Sequence, residues 1–301
     1  MSWLIASKVL PPLVGGHPPD YTLSLAPREG KSEPVCWRIA WNDRRIGTAA
    51  SQMIRRPGGG SAQRHVVHFD RLPLQAMLSE SFGLLGSVLK PMLGADSNVE
   101  MDILLATELR YDSQRQFTDF RSKADIGDMR DLLQLQGVME AGNNLKITTH
   151  IGSPFAGQSK QVMRHEIQLP REALVNDAFA PRPELRNLRV GQRWTIPIYR
   201  PFPSNSKVQI VEALAERLDV LVWDARDVET VLVVYREEAG SGLHFSREPI
   251  AREWVAANGM VVQREVRLSG LKLLFERLPQ AAIDPEIEML DSKLHPRLWA
   301  D

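Results

Sequence analysis

The stretch Val35 to Thr48, VCWRIAWNDRRIGT, limits the fold more than any other part of the chain. Trp37, Ile39 and Trp41 fall on one face and Arg38 and Ala40 on the other, which is the period-two alternation of a strand. Asn42-Asp43 supplies the turn, because Asn and Asp tolerate left-handed backbone angles and bond their own main chain. A return strand then carries Ile46 and Gly47. A turn this short joins only antiparallel strands. A chain that repeats the device therefore builds antiparallel sheet.

The device does repeat. Ala49 to Arg56 continues the second strand, and Pro57 to Ser61 is a loop. Gln63 to Phe69 is a third strand. Strands follow over Val99–Tyr111 and Gln116–Ile126, with a turn at Asp112-Ser113. Leu133–Glu140 and Leu145–Ile151 flank the hairpin signal Ala141-Gly142-Asn143-Asn144. Val162–Leu169 is another strand, Pro170–Phe179 fits a short helix, and Pro181–Leu188 is a loop. Trp194, Ile196 and Ile198 share a strand face, and Pro197 marks that strand as an edge or a bulge. Val208–Leu218, Val220–Trp223, Val228–Arg236, Ile250–Val255, Val261–Leu268 and Leu271–Leu278 complete the series. The one long helical pattern is Leu72–Leu93, where Leu74, Met77, Leu78, Leu84, Leu85, Val88, Leu89 and Met92 recur near helical spacing. The expected class is α+β, mainly antiparallel β. A sheet this long must curl, and the expected form is a strongly curved meander, or half-barrel, wrapped around the helical segment 72–93. Residues 35–278 form that domain, residues 1–34 an apolar opening and linker, and residues 279–301 a tail.

Composition narrows the function classes. Lys+Arg and Asp+Glu are both 37, so the formal net charge is zero. A general nucleic-acid binder needs a phosphate-neutralising excess, so no nucleic-acid partner is expected. The single cysteine, Cys36, excludes an intramolecular disulfide and reads as a small half-buried residue rather than a reactive thiol. No stretch is apolar and long enough to span a membrane. Residues 3–14, WLIASKVLPPLV, lack the basic start and cleavage site of a complete signal peptide; a docking segment and the stub of an upstream membrane segment fit them equally.

Four signatures carry a resemblance. They are W-x-I-x-W-N-x-x-x-I-G at Trp37–Gly47, the strand pair ELRYDSQRQFTDFRS about Asp112, V-G-Q-x-W-x-I-P at Val190–Pro197, and W-V-x-x-x-G-x-V-x-x-x-E at Trp254–Glu265. Over about residues 35–278 the chain resembles an uncharacterised, planctomycete-type bacterial envelope domain found upstream of transglutaminase-like domains or behind a membrane anchor. That domain is similar in turn to the curved half-barrels of lipoprotein carriers of the LolA/LppX type. The resemblance implies a cell-envelope or periplasmic setting and an apolar hollow for acyl chains. No transglutaminase-like Cys-His-Asp set follows, and Cys36 is misplaced for one.

Catalytic signals are sparse. His65 and His68 (HVVH) would share a helix face, but on a strand the odd spacing puts them on opposite faces. His165-Glu166 lacks the second histidine of a zincin, and His150 and His244 have no evident partner. Asp125, Asp128 and Asp131 miss the EF-hand spacing and read as a turn with helix-capping Asp. No nucleophile elbow, P-loop, dinucleotide fingerprint or C-x-x-C is present. No metal or cofactor is expected. The remaining feature is an aromatic stripe: Trp37, Trp41, Phe117, Phe120, Trp194, Tyr199 and Trp254. Core packing explains it, and so does an apolar concavity. The expected function is a non-enzymatic cell-envelope binding or scaffolding domain holding a lipid chain or a partner's segment. The alternatives are a membrane-tethered structural interaction module, a hydrolase whose site assembles in space, and a cytoplasmic location.

Overall fold

The computed structural model describes residues 18–19, 21, 33–56, 58–73, 100–152, 161–176, 179–201, 207–237, 248–268, 271–283, 287 and 290. Among the described residues, fifteen strands form a single sheet. They are β1 (Val35–Trp41), β2 (Arg44–Arg55), β3 (Ser61–Pro73), β4 (Glu100–Tyr111), β5 (Phe117–Ile126), β6 (Met129–Glu140), β7 (Asn144–Ile151) and β8 (Gln161–Gln168), then β9 (Leu174–Val175), β10 (Arg193–Tyr199), β11 (Gln209–Trp223), β12 (Arg226–Glu237), β13 (Ala251–Ala256), β14 (Val261–Leu268) and β15 (Leu271–Arg277).

The strand order is β8 through β1, then β15 down to β9. Two meanders therefore meet where the first strand pairs the last: Trp37 lies opposite Arg277 and Trp41 opposite Leu273. All neighbours are antiparallel except the short β9–β10 pair. Asn42 and Asp43 both have positive φ, 48° and 62°, as the first hairpin turn requires. Asp112 tightens its turn by accepting the N–H groups of Gln114 and Gln116 through Oδ1.

The sheet curls without closing. The ring of Phe120 on β5 lies 6.3 Å from that of Tyr199 on β10, although ten places separate those strands in the sheet. The inner face carries one continuous core that includes Trp37, Phe69, Phe120, Tyr199 and Phe275. The described chain between β9 and β10 fills part of that interior. Phe179, fully buried, meets Phe69 edge-on at 5.4 Å. The Ala180 carbonyl accepts from Arg264, and the Pro183 carbonyl accepts from the N–H of Val261 and from Arg277. The outer face of the central strands is covered by the tail: Cys36 packs with Leu278 and Ile283, and Leu290 packs on Val66 and Leu104. That cover makes Cys36 fully rather than half buried.

Three expectations are corrected. The described residues are almost wholly β, with one short 3-10 turn at Gln280–Ala282. Leu72 and Pro73 belong to β3 rather than to a helix, and the rest of the 72–93 segment lies outside the described residues. The described part of Pro170–Phe179 is no helix: Ala173 turns back onto the Pro170 carbonyl, and Leu174–Val175 then lie parallel to β10. The open side of β10 satisfies that backbone, with the Asn176 N–H on the Tyr199 carbonyl. The two strands expected about Asp219 are one, β11. Asp219 stays within the ladder on the outer face, because its carboxylate caps the Val220 N–H and accepts from the Trp254 indole. No helix among the described residues is long and apolar enough to cross a membrane.

Candidate functional site

A hollow of about 780 Å³ opens where the two ends of the curled sheet approach. One wall comes from the β4–β5 turn and from the β6–β7 side, with Tyr111, Phe117, Met139 and Asn143. The other comes from Leu169 to Asn176 and from Thr195, Ile196 and Pro197 of β10. Pro197 stands where β10 has β11 on one side only, since β9 pairs no further than Ile198 and Tyr199. A missing N–H costs least there.

Two residues outside the aromatic stripe shape the hollow. Tyr21, from the stretch expected to be linker, accepts a 2.5 Å hydrogen bond from Trp194 Nε1. The Arg182 guanidinium lies over the Tyr21 ring, 4.4 Å from its centroid. Burial raises the Tyr21 phenol pKa to about 12 despite the neighbouring Arg182. Burial acts to lower the Arg182 pKa, but Glu253, with Tyr235 and Tyr21, outweighs it and raises the value. Arg182 Nη1 is buried with no hydrogen-bond partner.

Behind Arg182 lies a buried polar cluster on the inner face. Glu253 accepts the Tyr235 hydroxyl at 2.7 Å and faces Arg264 at 3.7 Å. Burial, and then the Glu253 charge, raise the Tyr235 pKa well above its usual value. His65 is buried with both ring nitrogens unbonded, and burial with the nearby Arg264 lowers its pKa to about 3. Arg200 is lowered to about 10 by burial and by Arg264. Burial thus favours the protonated phenols and the neutral imidazole.

The aromatic stripe divides. Phe117 lines the hollow and stacks on Phe120 at 6.5 Å, and Phe120 leads on to Tyr199. Trp194 stands behind Tyr21. Trp37 is fully buried in the core beneath the Arg277 guanidinium, 5.8 Å away, and Trp41 packs on the edge of the same core. Trp254 sits on the outer face, its indole donating to Asp219 at 3.1 Å, so it is not part of the concavity. Its neighbours Glu253 and Val255 point inward, which is the period-two rule acting against it.

The other chemical candidates separate. His65 faces inward and His68 outward. His68 lies between two carboxylates, Nδ1 3.3 Å from Asp70 and Nε2 3.7 Å from Asp102. This trio is the one group among the described residues whose spacing suits a metal. Its two ring nitrogens address different carboxylates, which suits an imidazole held between them. Asp125 spans its hairpin, accepting the Asp131 N–H and the Arg130 guanidinium, with no helix to cap. His165, opposite Ile147, faces inward while His150 faces outward, and burial lowers the His165 pKa. His244 lies outside the described residues.

No protein-family model matches the chain, and no curated protein does. Among solved structures it is similar to a β-barrel-like protein of domain of unknown function DUF1849 from Brucella abortus. The identity is 10%, the match covers 84% of this chain and 98% of that one, and the TM-score is 0.44.

Sequence reasoning found Phe117 and the strand faces that meet here. It missed Tyr21, isolated among Gly, Pro and charged residues, and Arg182, in a segment that reads as a surface loop. The one available signal was Ala178-Phe179-Ala180, an apolar run just before that loop.

Proposed function

We propose that this protein is a non-enzymatic binding domain of the cell envelope that holds a lipid's acyl chain or a partner's extended segment in the hollow beside Tyr21 and Phe117. The observation that carries the reading is the hollow itself. Its volume of about 780 Å³ lies in the range of small-molecule sites, roughly 300–1,000 Å³. Aromatic and aliphatic side chains supply one part of its wall, and polar ones such as Gln63, Asn143, Asn176 and Thr195 supply another. The resemblance of the Trp37–Gly47 and Val190–Pro197 signatures to an envelope domain that is similar in turn to lipoprotein-carrier half-barrels supports the same reading.

Native mass spectrometry with lipid extraction, on the full chain purified from a bacterial host, tests it. The expected result is a co-purified acyl lipid that a Leu174→Trp variant loses, because the indole fills the hollow. A ligand-free mass for both proteins overturns the lipid version. A second reading, the membrane-tethered interaction module, draws on Leu218, Val220 and Val222. These alternate along β11 and are 57%, 60% and 77% exposed. A photo-crosslinking residue at position 220 that forms no adduct in cells would remove it.

A further inference from the structure

The β11–β12 hairpin runs past its neighbours. β10 pairs β11 only as far as Leu214, Ala215 bonds the main chain of Gly191 and Gln192, and β13 leaves β12 at Thr230. Glu216 to Glu229 is therefore a two-stranded ribbon, and among the described residues no strand lies along the far edge of Glu216–Trp223. Asp224 and Ala225, with φ 52° and 56°, make its two-residue turn, so Trp223 and Arg226 form the closing hydrogen-bonded pair. Counting back by twos, Leu221 and Asp219 also bond β12. The N–H and C=O groups of Leu218, Val220 and Val222 then face the open edge. The Val220 N–H is met there by the Asp219 carboxylate.

The ribbon is tied to the body on one side. Trp254 donates to Asp219 at 3.1 Å, and Trp223 donates to the Arg277 carbonyl at 2.8 Å. The opposite side carries Leu218, Val220 and Val222 in a row, all exposed. Across the ladder Asp227 and Glu229, also exposed, lie opposite Val222 and Val220. In a neutral chain, residues 216–229 hold five carboxylates against two guanidiniums, and one of those, Arg217, already lies against Glu216 and Asp219. Open edges are commonly blunted by lysine, proline or a covering segment. This one is apolar and acidic.

We propose that the Leu218–Val222 edge of β11 docks an extended, basic peptide segment of a partner by strand addition. The segment's alternate apolar residues pack on Leu218, Val220 and Val222, and its main chain completes the open ladder. Its lysines or arginines meet Asp227 and Glu229. A second copy or an anionic bilayer would bring further negative charge to an acidic ribbon. The inference rests on the interaction-module reading and gives its partner; the ligand of the hollow is independent of it.

Fluorescence anisotropy of labelled peptides titrated with the full chain tests it. The probes are a short peptide of alternating valine and lysine, its counterpart with glutamate for lysine, and two N-methylated forms of the first, methylated at the valines or at the lysines. The lysine peptide should bind about tenfold tighter than the glutamate peptide, with the gap narrowing as salt is raised. One methylated form should bind like the parent peptide and the other should fail. Loss on methylating the valines assigns an antiparallel added strand, and loss on methylating the lysines a parallel one. Val222→Lys, at an exposed position, should weaken the lysine peptide about tenfold through charge repulsion and leave the unfolding midpoint unchanged. Equal binding of both methylated forms overturns strand addition, and equal affinity for the lysine and glutamate peptides overturns the basic partner. If no peptide binds, the proposal falls; a crosslink from position 220 in cells would still uphold the interaction module by another mode. Sedimentation of the chain alone reads the remaining occupant. A dimer that Val222→Lys dissociates assigns the edge to a second copy and overturns the peptide.

Discussion

His65 and Glu108 show at single residues what the curled sheet does to ionisable groups. His65 is buried and neutral, its pKa lowered to about 3 by burial and by Arg264. Its unfolded value is about 6.5, so the stability linked to it is fully present above that pH. It is lost as pH falls from there towards 3, by at most about 1.4 kcal/mol per pH unit. A His65→Leu variant should therefore lose stability less steeply than the parent between pH 6.5 and 4, as urea unfolding at several pH values would read. Glu108 works through partners. Burial acts to raise its pKa, but Arg64 and Arg110, each 2.6 Å away, outweigh burial and lower it. That contribution is present above the usual carboxylate value and disappears as pH falls through the lowered one. Glu108→Gln should cost about 2 kcal/mol near neutrality. The deficit should shrink below pH 4, and a constant deficit across the titration would refute the assignment. The opposite faces of His65 and His68 were legible from their spacing. The partners of His65 were not, since Arg264 is 199 positions away in the chain.

At the scale of elements, the hairpins follow from local chemistry and the interior plug does not. Asn42-Asp43 and Gly142-Asn143 take positive φ because the strands they join demand it, and those turns are visible in the sequence. The segment from Phe179 to Leu185 has no periodicity. It lies inside because the sheet curls over it and supplies its hydrogen bonds: Leu185 N–H to the Gly259 carbonyl, and Arg264 to the Ala180 carbonyl. Phe179 is the apolar centre of that plug. Phe179→Ala should destabilise the protein by about 3–5 kcal/mol in denaturant unfolding. A loss under 1 kcal/mol would show that the plug is not part of the core.

The whole molecule is closed at its middle by its own ends. β1 bonds β15 over Trp37–Trp41, while every other neighbour of a long strand is its sequence neighbour. Deleting residues 271–301 should leave the inward edges of β1 and β14 unpaired and uncover Cys36 and Val66. The expected result is an insoluble or unfolded chain; a soluble truncated protein with cooperative unfolding would contradict it. The hollow belongs to this scale as well. Phe117 and Ile196 approach it from opposite ends of the sheet, and no stretch of sequence contains it.

The sequence by itself determined most of the strands, though not β9 or the unbroken β11, with their turns, their antiparallel partners and the alternation of faces, because each depends on a few consecutive residues. The described structure honours that alternation even where it removes Trp254 from the expected concavity. Tertiary structure decided the β1–β15 seam, the course of 179–185 through the interior, and the meeting of Tyr21, Trp194 and Arg182. These depend on how far a twisted fifteen-strand sheet curls. Curling is a sum over all the strands, which local patterns do not encode.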